Sequence, residues 1–383
     1  MRSSLVAILV AGSVVSAAPA HAAPPECFGK RATIVGTSGD DVLRGGSRDV
    51  VVGLGGDDVI IGSGRSFRAC GNDGRDVLRG GPEQDRLAGG NGKDRLFGGP
   101  KGDELVGGNG DDVLAGDPSK NRESGGLDTL TGGAGNDRLY GFVGHDVLTG
   151  GIGHDELRGG DDNDDLVPGD GDDYVSGGED HGSDELLFPG AHGGVTVDLA
   201  GGTSTGEGTA TGEGTDRIYD VEKVVGTPFT DELRGSERSD SLHGRGGDDV
   251  LWGGDGDDYL TMDTALAMPG DDSVNGGGGR DRIVFVSEGD NPLKIDLGAE
   301  TATGEGSDTL ISVEDVFAVL EEVPVTVVGD LAANAIYTGS GDDDVSGAGG
   351  DDYLHANLGD DTVDGGEGID TCVDAEHASD CEA

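Results

Sequence analysis

"GGNGKDRLFGGPKGDELVGGNGDDVLAG", residues 89–116, states one nine-residue phrase three times and begins a fourth. Extended backwards, the same frame divides 71–115 into GNDGRDVLR, GGPEQDRLA, GGNGKDRLF, GGPKGDELV and GGNGDDVLA. The sixth place is Asp76, Asp85, Asp94, Asp103 and Asp112, and the eighth is Leu78, Leu87, Leu96, Leu105 and Leu114. Asp41 and Asp58 hold the sixth place ahead of this run. After a slip over 116–131 the frame resumes with Asp137, Asp146, Asp155, Asp164 and Asp173. It returns over 226–261 (Asp231, Asp240, Asp249, Asp258), 267–284 (Asp272, Asp281) and 338–373 (Asp343, Asp352, Asp361, Asp370).

Each nonapeptide divides into a turn and a strand. Places one to six are rich in Gly, Asn, Asp and Ser, residues that tolerate positive φ or close turns. Places seven to nine, such as Arg95, Leu96 and Phe97, are too few for anything but a brief strand. Alternation then turns only the eighth side chain inward. A core of one aliphatic per nine residues is thin, and it accounts for a chain with 78 Gly and 4% aromatics.

The net charge of -52, from 77 acidic against 25 basic residues, opposes compaction by self-repulsion and on composition alone suggests disorder. An unstructured acidic tract has no reason to keep a frame, so the periodicity argues for folded repeats. The same charge excludes nucleic acid and anionic membrane surfaces as partners. Its natural counterpart is a cation.

Residues 1–22 read as an export signal, with Arg2 at the basic start, Leu5 to Val15 as the apolar stretch and Ala20-His21-Ala22 as a small-x-small cleavage site. This run is shorter than the roughly 20 residues of a membrane span, and no later stretch qualifies. The predicted localisation is secreted, with loose association at the cell surface as a variant. Cys27, Cys70, Cys372 and Cys381 are even in number, which in an exported chain favours disulfides. Of three connectivities, the local one, 27 with 70 and 372 with 381, clamps both ends of the repeat region. A zinc site is disfavoured without CxxC spacing.

The reiterated phrase resembles the RTX, or hemolysin-type, repeat GGxGxDxUx, where U is a large aliphatic. Full GGxGxD turns stand at 89–94, 107–112, 132–137, 150–155, 253–258, 276–281 and 365–370. The resemblance implies an all-β, right-handed parallel β-roll or β-helix solenoid with two nonapeptides per coil and multiple Ca2+ ions between turns one coil apart. The 22 sixth-place aspartates named above are then the metal-site candidates. Stacked coils lie about 4.8 Å apart, where two carboxylates repel by about 1 kcal/mol in water and severalfold more at an effective dielectric near 20. Calcium suits 6 to 8 oxygen ligands including carbonyls, whereas magnesium prefers a tight octahedron and zinc prefers His or Cys. Glu83, Lys101, Asp162, Phe229 and Arg238 replace the fourth Gly, 62–70 lacks the sixth Asp, and 329–337 has Asn334 there. Those turns depart from the pattern. His145 and His154, in the fifth place, read as surface residues.

The resulting organisation is a signal over 1–22, an N-terminal cap over 23–35, repeat blocks over 36–188, 226–284 and 329–373, interludes over 189–225 and 285–328, and a tail over 374–383. The interludes, VTVDLAGGTSTGEG and LKIDLGAETATGEG at their starts, resemble each other and are predicted to be longer coils that continue the stack. GTSTG at 202–206 matches the GxSxG nucleophile string, but the parallel strings carry Ala210 and Ala302 in place of Ser204. HExxH and P-loop motifs are absent from the sequence. EF-hands need helices that this glycine spacing forbids. The functional expectation is therefore a secreted, non-catalytic calcium-binding repeat protein with a structural, adhesive or matrix role, whose partners are calcium ions and a cell-surface or matrix polysaccharide. The alternative is a β-helical lyase, epimerase or hydrolase acting on polysaccharide near the interludes.

Overall fold

The computed structural model describes residues 25–118, 125–178, 183–200, 203–206, 214–264, 270–286, 291–304, 306–318 and 320–382; the export signal over 1–22 lies outside them. Every named element among these residues is a β-strand. Strands alternate between two stacked parallel sheets, so each coil contributes one strand to each. Leu96 sits between Leu78 and Leu114 in one sheet, and Leu105 sits between Leu87 and Leu130 in the other. All of these leucines are fully buried. The chain is thus a parallel β-roll, and its core is the single file of eighth-place aliphatics meeting between the sheets.

The slip over 116–131 turns out to be an insertion that leaves the stack unbroken. Asp103 donates its main-chain N–H to Asp128, 25 residues on instead of 18, and Asp128 donates to Asp146 with the normal spacing. Where Asp is missing from 62–70, the sixth place holds Phe67, which is fully buried. A Cβ on Gly45 or Gly62 would lie 2.4 or 2.5 Å from the Phe67 ring, so the ring needs both glycines in order to fit.

The interludes continue the stack, but by a different route from longer coils. Strand Thr215–Tyr219 lies parallel on Tyr174–Ser176 of the preceding block. Thr203–Gly206 pairs antiparallel with it and with Val195–Asp198, and Val195–Asp198 carries the next block's Glu232–Arg234. The chain therefore runs ahead, then returns strand by strand to the coil it left. The second interlude repeats this with Ser307–Ile311, Thr301–Thr303 and Leu293–Asp296. The reversal has a local cause: Asp296 accepts the Ala299 N–H, and Glu300 adopts φ 58° while donating to the Leu297 carbonyl. The facing sheet gains no strand, passing directly through Glu185–Leu187, Lys223–Val225 and Ser241–Arg245. Ser204 lies within an antiparallel strand opposite Val197 and Asp216, not at the strand-to-helix turn a nucleophile elbow requires.

Both ends are clamped. Cys27–Cys70 ties the N-terminal cap to the third coil, and Cys372–Cys381 ties the last coil to the tail. The cap adds its own small core of Cys27, Val50 and Val52, and Arg86 stacks over the Phe28 ring at 4.2 Å.

Candidate metal centre

The sixth-place aspartates form two files, one along each row of turns. Their side chains are buried although ionisable: Asp76, Asp112 and Asp281 are wholly covered. Along the files, Oδ1 accepts the main-chain N–H of the sixth residue one coil earlier, as in Asp58 to Asp76, Asp76 to Asp94 and Asp94 to Asp112, at 2.7 to 2.8 Å. The other file runs from Phe67 through Asp85, Asp103, Asp128 and Asp146 to Asp164 in the same way. A carboxylate at the fifth place has the opposite polarity: Asp57 accepts from Arg75, one coil later. That exposed second ladder was not legible in the repeat consensus. His145 and His154 lie on this outer surface.

The second oxygen is what distinguishes the buried file. Oδ2 of Asp58, Asp76, Asp85, Asp94, Asp103, Asp112, Asp128, Asp137, Asp146, Asp155, Asp173, Asp258, Asp281, Asp352, Asp361 and Asp370 is buried with no hydrogen-bond partner. One unpaired buried acceptor costs about 1 to 3 kcal/mol, and more if charged; a file of them demands a counter-charge. In the regular turns Oδ2 is aimed at the first-place glycine, as Asp94 at Gly89, Asp112 at Gly107 and Asp155 at Gly150, whereas Pro168 and Ala356 hold that place ahead of Asp173 and Asp361. A Cβ on Gly89 would lie 2.3 Å from Asp94 Oδ2 and 2.7 Å from the Gly107 carbonyl oxygen, and one on Gly132 would lie 2.5 Å from Asp137 Oδ2 and 2.6 Å from the Gly150 carbonyl. The missing side chain thus leaves a cradle lined by a carboxylate oxygen and a carbonyl oxygen from the next coil. Gly92, φ 147°, would set a Cβ 1.6 Å from the Gly74 carbonyl oxygen, so a side chain there would collide with the coil before it.

Burial dominates the electrostatics. It pushes Asp76, Asp112, Asp155 and Asp173 up to about 7, with the accepted N–H opposing and neighbouring carboxylates adding. It pushes Asp103 to about 9 and Asp128 to about 8, the latter reinforced by Asp146. No group of three His, Cys, Asp or Glu side chains converges among the described residues. A cation held here would take one carboxylate oxygen per turn and complete its shell with main-chain carbonyls, a donor set of hard oxygens that fits calcium and excludes zinc.

Not all predicted positions share this geometry. Oδ2 of Asp41, Asp231 and Asp240 accepts the N–H of Thr37, Thr227 and Ser236 at 2.6, 2.6 and 2.5 Å. Asn334 stands in its file, donating to Asp352 and accepting from Asp330. Asp164, Asp249 and Asp272 continue the files through Asp184, Asp231 and Asp308, and Asp343 accepts from Val325. The repeat frame missed Asp128, Asp184, Asp216 and Asp308, which occupy the same buried files. The signal that finds them is the Asp-x-aliphatic triplet without its glycines, as in Asp128 with Leu130 and Asp308 with Leu310. Each block ends on an acid from beyond it: Asp184 donates to Glu222, Asp281 to Glu314, Asp361 to Glu376 and Asp370 to Glu382.

The chain matches the RTX calcium-binding nonapeptide repeat over 32–60, 46–64, 71–100, 97–121, 124–157, 140–175, 149–183, 225–260, 262–285 and 337–372, more than half of its length. No curated protein matches it.

Proposed function

The chain belongs to the RTX calcium-binding nonapeptide-repeat family, and from that premise we propose that it is an exported, non-catalytic scaffold whose β-roll assembles on meeting extracellular calcium. The observation that carries this reading is the file of buried, unpartnered Oδ2 atoms running through Asp76, Asp94 and Asp112. These oxygens, with first-place carbonyls such as that of Gly107, would hold the ions. Calcium supplies the positive charge that the file lacks, and the chain supplies a stack that closes only when that charge is present. Such coupling makes binding free energy into folding free energy. The two disulfides fit an oxidising, extracellular setting. An acidic solenoid with exposed carboxylate ladders suits a structural or adhesive role at a cell surface or in a polysaccharide matrix. The test is circular dichroism of chelated protein titrated with calcium. A cooperative rise of β signal is expected, and identical spectra with and without calcium would overturn the reading.

One observation favours a second reading, an enzyme acting on polysaccharide. Beside the first interlude, a cleft of about 410 Å³ is lined by Leu199, Tyr219, Asp220, Glu237 and Arg238, and a pair of acids beside an aromatic ring is the equipment of glycoside chemistry. A screen of the purified protein against acidic and neutral polysaccharides separates the two readings.

A further inference from the structure

The regular acid-bearing turns fall into two conformational classes that differ at the second place; Ser63, Asp117 and Gly178, which also lack positive φ, belong to the Phe67 turn and to the two turns with insertions. In the open class the second residue has positive φ, which carries its N–H away from the sixth-place carboxylate. This holds for Gly90 (120°) and Gly108 (119°), and equally for Leu54 (84°), Phe142 (81°) and Arg245 (83°), where a side chain is strained into that region. The self-closed class keeps φ negative at Thr37, Gly46, Thr227, Ser236 and Asp330. There the second-place N–H donates to the sixth-place side chain: Thr37 to Asp41, Thr227 to Asp231, Ser236 to Asp240 and Asp330 to Asn334. Gly46 does the same to Asp49, at 2.8 Å, in a turn one residue shorter.

Residue chemistry explains the choice. The side chains of Thr37, Thr227, Ser236 and Asp330 each accept the N–H two residues on, at Gly39, Phe229, Arg238 and Ala332. Such a local turn fixes the second residue at negative φ and frees the fourth place from needing glycine. Phe229 and Arg238, departures from the consensus, are tolerated for this reason. Glu83, Lys101 and Asp162 are departures of another kind, because Gly81 (139°), Gly99 (117°) and Gly160 (129°) keep their turns in the open class.

The positions of the self-closed turns are not random. They fall at 36–41 and 46–49, at 226–231 and 235–240, and at 329–334, the first coil of each repeat block. At 338–343, which completes the third such coil, the Thr338 hydroxyl and Gly339 N–H face the Asp343 carboxylate, although its Oδ2 closes no full hydrogen bond. Each of these coils also rests on more apolar surface than a regular one. The first has the disulfide-tied cap with Cys27, Val50 and Val52. The second follows Val195, Val197, Ile218, Val221 and Val224, and the third follows a dense run including Leu293, Ile295, Leu310, Val316 and Val327.

We propose that the coil opening each block takes no calcium in its self-closed turns, stays folded without it, and serves as the template on which the following calcium-dependent coils stack. This rests on the calcium reading above and refines it, by assigning to Thr37, Thr227, Ser236 and Asp330 the choice between a metal-binding and a metal-free turn. The requirement for a template is physical: the first rung of a repeat array has the nucleation cost of the whole stack and no neighbour to share it.

The test is hydrogen exchange along the full chain, with and without chelator, together with calcium stoichiometry of wild type and of the double variant Thr227→Gly, Ser236→Gly. In chelator, peptides within 226–245 are expected to exchange at least tenfold more slowly than those within 89–155. Calcium then protects 89–155. The double variant should bind more calcium than wild type and lose its protection over 226–245 in chelator, while Thr227→Ser, Ser236→Thr, which keeps both hydroxyls, should behave as wild type. Exchange over 226–245 as fast as over 89–155 in chelator overturns the proposal even if the glycine variant fails to fold. So does an unchanged calcium count in a folded glycine variant. Failure of the calcium reading itself looks different: 89–155 would then be indifferent to calcium.

Discussion

Phe67 donates its main-chain N–H to Asp85 Oδ1 at 2.8 Å, the same bond that Asp85 gives to Asp103, yet Phe67 brings no carboxylate of its own. It is the point where one file of acids stops and an apolar plug takes over, seated against Gly45 and Gly62. Phe67→Ala is expected to cost about 3 to 5 kcal/mol, the usual range for emptying a buried aromatic site. Urea denaturation of the calcium-loaded protein measures it. A loss under 1 kcal/mol would mean that the ring does not hold the first coils together.

Acid should do part of what calcium does. The ladder carboxylates have folded-state pKa values raised by burial, to about 7 at Asp76, Asp112, Asp155 and Asp173 and about 9 at Asp103. In the unfolded chain they titrate near 3.9. The folded metal-free chain therefore binds more protons, and its stability falls as pH rises from about 4 through 7 to 9. Chelated protein is expected to show more β signal at pH 4.5 than at pH 8. Calcium binding in this window should release protons and tighten as pH rises, which calorimetry in buffers of different ionisation enthalpy reads directly.

Replacing an orphan oxygen separates the two roles of a ladder residue. Asp112→Asn keeps an Oδ1 acceptor for Asp94 but puts an amide where Oδ2 now stands. Bound calcium is expected to fall by at least one ion and the calcium midpoint to rise several-fold, while residual structure in chelator stays equal or increases because a buried charge is gone. A variant with unchanged stoichiometry would remove Asp112 from the ligand set.

The consensus made much of this architecture readable. Frame and alternation turn Leu78 and Leu96 inward, while the β-roll and the stacked turns of Asp76 and Asp94 follow from the family resemblance. What escaped reading has physical causes. Asp128 and Asp184 lie beyond insertions, so their bonds to Asp103 and Asp164 span 25 and 20 residues, and a fixed frame passes over them. Glu222 and Glu314 hold the sixth place itself, in register with Asp184 and Asp281, but a frame keyed to aspartate passes over them. The backward threading of Val195–Asp198 depends on which strand edges are free, a tertiary fact that local alternation does not encode. The self-closed turns were visible only as missing glycines, since the hydroxyl of Thr227 reads as noise until its bond to the Phe229 N–H is seen.

The C-terminal bridge predicts a local failure. Cys381 is joined to Cys372 and adjoins Glu382, which accepts the Asp370 N–H at 2.6 Å. Cys372→Ser, Cys381→Ser is expected to cost about 2 to 3 kcal/mol in the chain-entropy model and to speed exchange over 353–382 while leaving 71–115 as protected as before. Uniform loss of protection along the chain would show that the stack unravels as one unit.

Among the described residues, one sheet has 21 strands and the other 17, and the surplus enters at the two interludes. At about 4.8 Å per strand the richer sheet is longer by roughly 20 Å. Two faces of unequal length cannot bound a straight column, so the molecule must arc, with the richer sheet on the convex side and an elbow at each interlude. The pitch of those elbows is written into backbone pairing, and the directions in which the three acidic arms point are thereby set by threading and not by ion concentration.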